Sequence, residues 1–174
     1  RTPFSGRNNE YYSEDGFLSG SIAAATSRGA ASKGMYTFIK HFAVNDQENH
    51  RGDRNGQFGL ATWSNEQAIR EIYLLPFEMC VKNDPVTLSY VEEDGNGGYV
   101  NATRDYPAVT AVMTSFNRLG YTWTGGCYNL ITNVLRGEWG FDGFAITDNA
   151  NTGSPTFMNA YQMIEAGGDA ALTT

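Results

Sequence analysis

The sequence predicts an α/β fold built on a parallel sheet. Three observations carry this. Short runs rich in apolar, β-branched and aromatic residues read as strands: YTFIKHFAV at 36–44, AVTAVMTSF at 108–116 and FAIT at 144–147. Segments with helical spacing separate them. Glycines and polar clusters fall at the junctions, where turns are needed.

Taken in order, residues 16–33 pattern as a helix, with Leu18, Ile22 and Ala25 on one face. The strand at 36–44 leads into a polar loop from Asn45 to Leu60. Ser64-Asn65-Glu66-Gln67 fits a capping box, with Ser64 as the cap and Gln67 reaching back. The helix it opens carries Ile69, Ile72, Leu75, Met79 and Cys80 to about residue 83, and Pro76 should kink or break it. Residues 84–107 enclose Gly95-Asn96-Gly97-Gly98 between two strand-like runs, a β-hairpin or a long excursion inserted into the main pattern. After the strand at 108–116, residues 128–137 form a helix with Leu130, Ile131, Val134 and Leu135 on one face. Gly140 and Gly143 bracket the entry to FAIT, a last helix spans about 156–166, and GGDAALTT begins another strand. Roughly five strands and four helices are too few for a complete (β/α)8 barrel of about 250 residues, so the pattern reads as the later part of one.

Composition narrows the function classes. With 41% hydrophobic residues the chain is not intrinsically disordered. A net charge of −7, from 19 acids against 12 bases, argues against a nucleic-acid partner. Apolar runs such as Ile22-Ala23-Ala24-Ala25 are far short of the about 20 residues of a membrane span, so no membrane partner is expected. Two cysteines outside any Cys-x-x-Cys pattern, Cys80 and Cys127, read as buried unpaired thiols, and two histidines make a zinc site improbable. Arg1 in place of Met suggests a removed leader or a piece of a longer chain, which leaves extracellular and cytoplasmic locations open. The sequon Asn101-Ala102-Thr103 is too common a triplet to decide between them.

Four groups could do chemistry. Asp148 directly follows a buried-type strand, and a carboxylate there points into the usual crevice of α/β folds. A helix cap or turn aspartate explains the same junction. Lys40 and His41 are adjacent on a strand, so one should face a buried side. A solvated strand end and a polar-pocket pair account for them equally. The cluster Asn45-Asp46-Gln47-Glu48 with Arg51, Asp53 and Arg54 reads first as a solvated charged loop. Gly6-Arg7-Asn8-Asn9-Glu10, followed by Tyr11-Tyr12-Ser13-Glu14-Asp15, mixes an arginine, carboxylates and aromatic faces, which suits a sugar but also a turn and a helix cap. No Gly-x-Ser-x-Gly elbow and no phosphate loop occur.

Together these segments resemble glycoside hydrolase family 3. GRNNEYYSEDGFLSG is similar to the family's GRNFEYFSEDP-x-L-x-G, and KHFAVNDQENHR to its KHF-x-x-N-x-QE-x-x-R. AIREIYLLPFEMCVK resembles A-L-REIYL-x-PFE-x-A-V-K, and LRGEWGFDGFAITDNA resembles LR-x-EWGF-x-G-x-V-x-SDW. The N-acetylhexosaminidase branch carries KHFPGHG instead, so the chain resembles the β-glucosidase type.

The resemblance implies roughly strands three to eight of the family's (β/α)8 barrel. All 174 residues would be part of one catalytic domain, with an insertion at 84–107 and both the upstream strands and the downstream acid-bearing domain absent. It implies an exo-acting retaining glycosidase that removes a terminal sugar from a β-glycoside. Asp148 falls on the nucleophile, and Arg7, Lys40, His41 and Arg51 fall on sugar-binding positions. The Lys40–His41 peptide is often cis in the family. No cofactor and no metal are implied, and the partners are a glycoside substrate and the rest of the parent enzyme. Two substrate-side positions depart from the family: Phe116 stands where S-x-Y-N has Tyr, and Asn149 where Trp follows the nucleophile. They leave room for a carbohydrate-binding relative without turnover. A metal-dependent hydrolase using Asp46, Glu48, His50 and Asp53 is a further alternative, and the segment alone is expected to be inactive.

Overall fold

The computed structural model describes residues 2–51, 60–150 and 157–173. The fold is α/β with a parallel sheet, as the strand–helix alternation predicts. Four strands, β1 (Phe38–Phe42), β5 (Ala111–Thr114), β8 (Phe144–Asn149) and β9 (Ala170–Leu172), pair in that order and all run parallel. That is four strands among the described residues, fewer than the span from three to eight implies. Parallel neighbours need a crossover, and helices supply it. These are Leu75–Val81 (α3) before β5, the helix Asn129–Glu138 before β8, and Ala160–Glu165 (α4) before β9.

Helix α1 (Gly16–Ala31) starts where Asp15 caps it, its carboxylate accepting the Leu18 N–H at 2.7 Å. The sequence places Leu18, Ile22 and Ala25 on the packing face, and the structure reverses this. Those three are exposed, whereas Ser19, Gly20, Ser27 and Ala31 are buried. Close approach explains the reversal. A Cβ on Gly20 would lie 2.6 Å from Met79 Sδ and 3.0 Å from Pro76 Cα, so the small-residue face packs on α3.

The second helix differs at its start. Asn65, not Ser64, is the cap, accepting the Ala68 N–H at 2.8 Å, and Gln67 donates forward to Glu71 instead of back to the cap. An Asn side chain makes the cap bond as well as Ser, so either neighbour could have served. After one α-turn, Glu66–Ala68 (α2), the backbone widens into a π-helical stretch, Ile69–Leu74, and α3 follows with Pro76 in its first turn. The first turn of a helix is where a missing N–H costs least, and proline here marks the change from π to α winding.

Residues Val86–Glu93 (β3) and Tyr99–Tyr106 (β4) form the expected hairpin in continuous antiparallel register from Val86↔Tyr106 to Glu93↔Tyr99. The hairpin immediately precedes β5, at the end of the sheet where the parallel strands begin. Three two-residue strands, Ala61–Thr62 (β2), Arg118–Leu119 (β6) and Thr122–Trp123 (β7), make a small sheet that the sequence pattern does not reveal. Helix Asn129–Glu138 is π-wound and buries Leu130, Ile131, Val134 and Leu135, the face its spacing predicts. Gly140, at φ 72°, turns the chain out of it toward β8. Helix α4 begins at Ala160, capped by Asn159, later than the expected 156, which lies outside the described residues.

The core lies between the sheet and these helices. Phe42 is fully buried, edge-on to Phe77 (5.2 Å) and Trp139 (5.9 Å), within a cluster that includes Val112, Leu130, Ile131 and Leu135. Cys80 and Cys127 are buried and unpaired. Phe17, Leu18, Ile22, Met35, Tyr36 and Phe38 remain exposed around α1 and β1. No helix among the described residues is long and apolar enough to cross a membrane.

Candidate active site

Because β1, β5 and β8 run parallel, their C-terminal ends share one rim of the sheet. His41 sits near the end of β1, Ser115-Phe116-Asn117 follows β5, and Asp148 and Asn149 end β8. The turn after β1 is held tightly. The Ser115 hydroxyl donates to Ala43 O at 2.7 Å, and the Trp123 indole N–H donates to Ser115 O at 2.9 Å. Val44, buried and β-branched, has φ 58°, a conformation such a residue rarely adopts outside strained functional turns. The Lys40–His41 peptide is cis, as the resemblance implies, and Phe42–Ala43 is cis as well.

Asp148 is the centre of a charged chain. Its side chain is 15% exposed, and its Oδ2 lies 3.3 Å from His41 Nε2 and 3.9 Å from Arg51 Nη1. Its Oδ1 accepts the Asn149 backbone N–H at 2.7 Å. Arg51 Nε binds Glu48 Oε2 at 2.8 Å, and the guanidinium lies over the Phe116 ring, 4.6 Å from its centroid. Arg7 Nη1 reaches the same Glu48 oxygen at 3.9 Å, and its Nη2 binds Glu10 Oε1 at 2.6 Å. Burial lowers the Arg51 pKa, with Arg7 adding repulsion that the acids Glu48, Asp148 and Glu10 do not cancel. At Arg7 burial also acts downward, but the hydrogen bond and charge of Glu10, with Glu48, raise the value overall. Both guanidiniums stay charged, since arginine begins far above neutral pH.

Of the predicted site residues, His41, Arg51, Phe116, Asp148 and Asn149 therefore converge, and Arg7 joins through Glu48. Lys40 does not join them. It is exposed and makes no ion pair among the described residues, while His41 beside it is 2% exposed. The described part of the loop is only partly solvated. Asn45 is buried, and Glu48 and Arg51 are mostly buried and paired, whereas Gln47 is exposed. Asp53 and Arg54 lie outside the described residues.

The sequence reading undervalued three groups. Glu48, which holds both arginines, is legible in the sequence only as part of a charged loop and as a ligand in the metal alternative. Tyr11, whose hydroxyl meets His41, is one aromatic among several. Asn45 is 98% buried, yet neither amide atom has a partner among the described residues, and the same holds for Asn117 Oδ1, Thr114 Oγ1 and Asn149 Oδ1. Buried polar atoms in native folds are nearly always bonded, so several orphans at one rim mark a surface that takes hydrogen bonds from something else. The charged chain offers a carboxylate, fixed cations and amides, the chemistry of a polyhydroxylated ligand. No group of three or more His, Cys, Asp or Glu able to hold a metal occurs among the described residues.

No family model matches the chain. Over 148 residues, 85% of its length, it is 37% identical to a β-glucosidase of Ruminococcus albus, of which it covers 13%. It is 36% identical over 155 residues to β-glucosidase B of Emericella nidulans, covering 15% of that protein. Among solved structures it superposes on β-glucosidase 3B of Thermotoga neapolitana in complex with α-D-glucose with a TM-score of 0.75 and 33% identity, over 99% of this chain and 19% of that one. A family 3 β-glucosidase of Bifidobacterium adolescentis gives a TM-score of 0.74 at 29% identity, over 98% of this chain and 20% of that one. The chain thus spans less than a fifth of the curated relatives it matches. By sequence and by fold it belongs to glycoside hydrolase family 3, matching one segment of that family's β-glucosidases.

Proposed function

We propose that this segment is part of the (β/α)8 catalytic domain of a retaining, exo-acting β-glucosidase-like hydrolase. The observation that carries the proposal is the approach of His41 and Arg51 to Asp148 at the C-terminal end of a parallel strand. Catalytic groups of barrel enzymes gather at that face. The strand order supports the barrel. Parallel strands paired in chain order, with a helix between each pair, are the repeating unit of a barrel. The exposed apolar face of α1 and the outer edges of β1 and β9 are surfaces that the remaining strands and helices of the parent would cover. The hairpin at 84–107 is then an insertion, and the segment alone lacks turnover.

In this mechanism an Asp148 carboxylate oxygen attacks the anomeric carbon of the terminal sugar. The bond to the leaving oxygen breaks as a general acid, outside these residues, protonates it. Water then hydrolyses the glycosyl-enzyme, giving its proton to the same group and releasing Asp148. Arg7, His41 and Arg51 bind sugar hydroxyls from within the charged chain, and Lys40, exposed beside His41 and outside that chain, meets the sugar from the solvent side. Phe116 supplies an apolar wall beneath Arg51, and Asn149 offers an amide beside the nucleophile. The substrate is a β-glycoside or oligosaccharide, and the parent needs no cofactor.

Incubating the complete enzyme with 2-deoxy-2-fluoro glycosides and mapping the adduct by mass spectrometry tests this. A covalent sugar on Asp148 is expected. An adduct elsewhere overturns the assignment. Sugar binding without any adduct across the panel establishes instead the non-catalytic carbohydrate-binding relative, which the Phe116 and Asn149 departures favour.

A further inference from the structure

We infer that Trp63 and Tyr121 form an outer sugar subsite, which holds the leaving end of a β-linked oligosaccharide. The inference rests on the reading of Asp148 as the reacting carboxylate, which sets where the terminal sugar sits. Tyr121 lies in the two-residue turn Gly120-Tyr121 between β6 and β7, and Trp63 directly follows β2, the strand parallel to β6. Their ring centroids are 5.0 Å apart and their planes meet at 85°. Trp63 is 68% exposed and Tyr121 82%, so the pair makes a corner with two open aromatic walls. Gly120, at φ 59°, makes the turn and donates its N–H to Thr62 O at 2.8 Å, which ties the two ring-bearing segments together.

The corner hangs from an inner strand at the rim that carries Asp148. β5 lies between β1 and β8, and its chain continues through Phe116, beneath the Arg51 guanidinium, into β6. Tyr121 is five residues beyond Phe116, so their Cα atoms lie within about 18 Å of each other. The hairpin is bolted to the rim by the Trp123 indole on Ser115 O and by the Thr124 N–H on Asn117 O at 3.1 Å. The exposed apolar residues of α1 differ, because they belong to the element before β1, an outer strand. An exo-acting site takes the terminal sugar at Asp148 and sends the rest of the chain outward across the rim. The surroundings of the corner suit a sugar better than a protein. Ser64, Asn65 and Glu66 beside Trp63 are exposed and polar, whereas a stable protein interface needs about 800 Å² on each side around an apolar centre. A pyranose ring carries C–H groups on its faces and hydroxyls at its edge. It can therefore cover one aromatic ring and leave polar neighbours in water.

The test is calorimetric titration of the complete enzyme with glucose and with non-hydrolysable S-linked β-1,3- and β-1,4-gluco-oligosaccharides of two to four units. Affinity should rise with length in one of the two series. Trp63→Ala and Tyr121→Ala should each cut the tetrasaccharide affinity about tenfold, the worth of one well-formed aromatic contact, and lower glucose affinity far less. Tyr121→Trp, which keeps a stacking face at an exposed turn, should retain most of the tetrasaccharide affinity. Affinity that does not grow with length, alanine variants that lose nothing, or a loss in Tyr121→Trp equal to that in Tyr121→Ala overturns the inference. An equal loss at every length together with a lowered Tm identifies the pair as a contact with another part of the parent, and overturns it too. A failed trap at Asp148 with the length dependence intact overturns the nucleophile assignment and leaves the outer subsite standing.

Discussion

Arg136 should matter far more to the site than its distance along the chain suggests. It stands near the end of helix Asn129–Glu138 and ties three segments together. Nε donates to Gly167 O at 3.0 Å, Nη1 to Gly143 O at 3.2 Å, and Nη2 binds Asp169 Oδ2 at 2.8 Å. The same Asp169 oxygen accepts the Ala145 N–H at 2.7 Å. Arg136→Met keeps the aliphatic stem and removes the guanidinium. Two carbonyls lose a charged donor, at about 1.5 kcal/mol each on the low side for a side chain that is a quarter exposed. The partly exposed pair with Asp169 adds about 0.5 kcal/mol. A local loss of about 3.5 kcal/mol corresponds to about 400-fold faster amide exchange at Ala145 and Asp169. Hydrogen exchange with mass spectrometry on the complete enzyme, following peptides across 141–147 and 166–170, measures this. Arg70→Met is the control. Arg70 makes two short contacts to Glu138, 2.6 and 3.0 Å, and their mutual hydrogen bonds raise the arginine and lower the glutamate. That pair is solvent-exposed and screened, so its removal should leave exchange at Ala145 and Asp169 nearly unchanged. Less than a fivefold change in exchange for Arg136→Met, or an equal effect from Arg70→Met, refutes the reasoning that carbonyl partners and not ion-pair geometry set the cost.

Two further outcomes follow from the same structure. Burial pushes the Cys80 thiol from 9.0 up to about 11. A raised pKa on a group that ionises to an anion stabilises the fold below about pH 9, and that stability is lost as pH rises to about 11. The unfolding free energy of the parent enzyme should therefore drop by about 2–3 kcal/mol more than that of Cys80→Ala across this window, measured by urea unfolding, and equal slopes count against it. The hairpin precedes β5 at the end of the sheet opposite the Asp148 rim, so replacing residues 87–105 by a short glycine linker should leave kcat/KM within about twofold. A tenfold loss would show that the hairpin reaches the substrate.

Much of the fold was legible because periodicity survives wherever one face is buried. Leu130, Ile131, Val134 and Leu135 name their helix face correctly, and the runs 36–44, 108–116 and 144–147 coincide with β1, β5 and β8, the first two strands being shorter than expected and the last longer by two residues. The reading failed where packing used small residues. On α1 glycine and serine lie against α3 and the larger side chains point outward, since close helix approach rewards size complementarity over hydrophobicity. Two-residue strands carry too little pattern to be seen at all.

For the site, the sequence alone determined the cast: an aspartate closing a strand, a Lys-His pair, and arginines and carboxylates spaced along two flanking loops. Which of them meet was decided only by the tertiary structure. The parallel register brings residues 41, 51, 116 and 148 to one rim, a long-range pairing that no local spacing encodes. The same folding buries Glu48 between two arginines, leaves Lys40 in solvent, and sets the Tyr11 hydroxyl against His41. Side-chain periodicity records which face of an element is covered; it does not record what covers it, and that is why the partners of Asp148 had to be read from the folded chain.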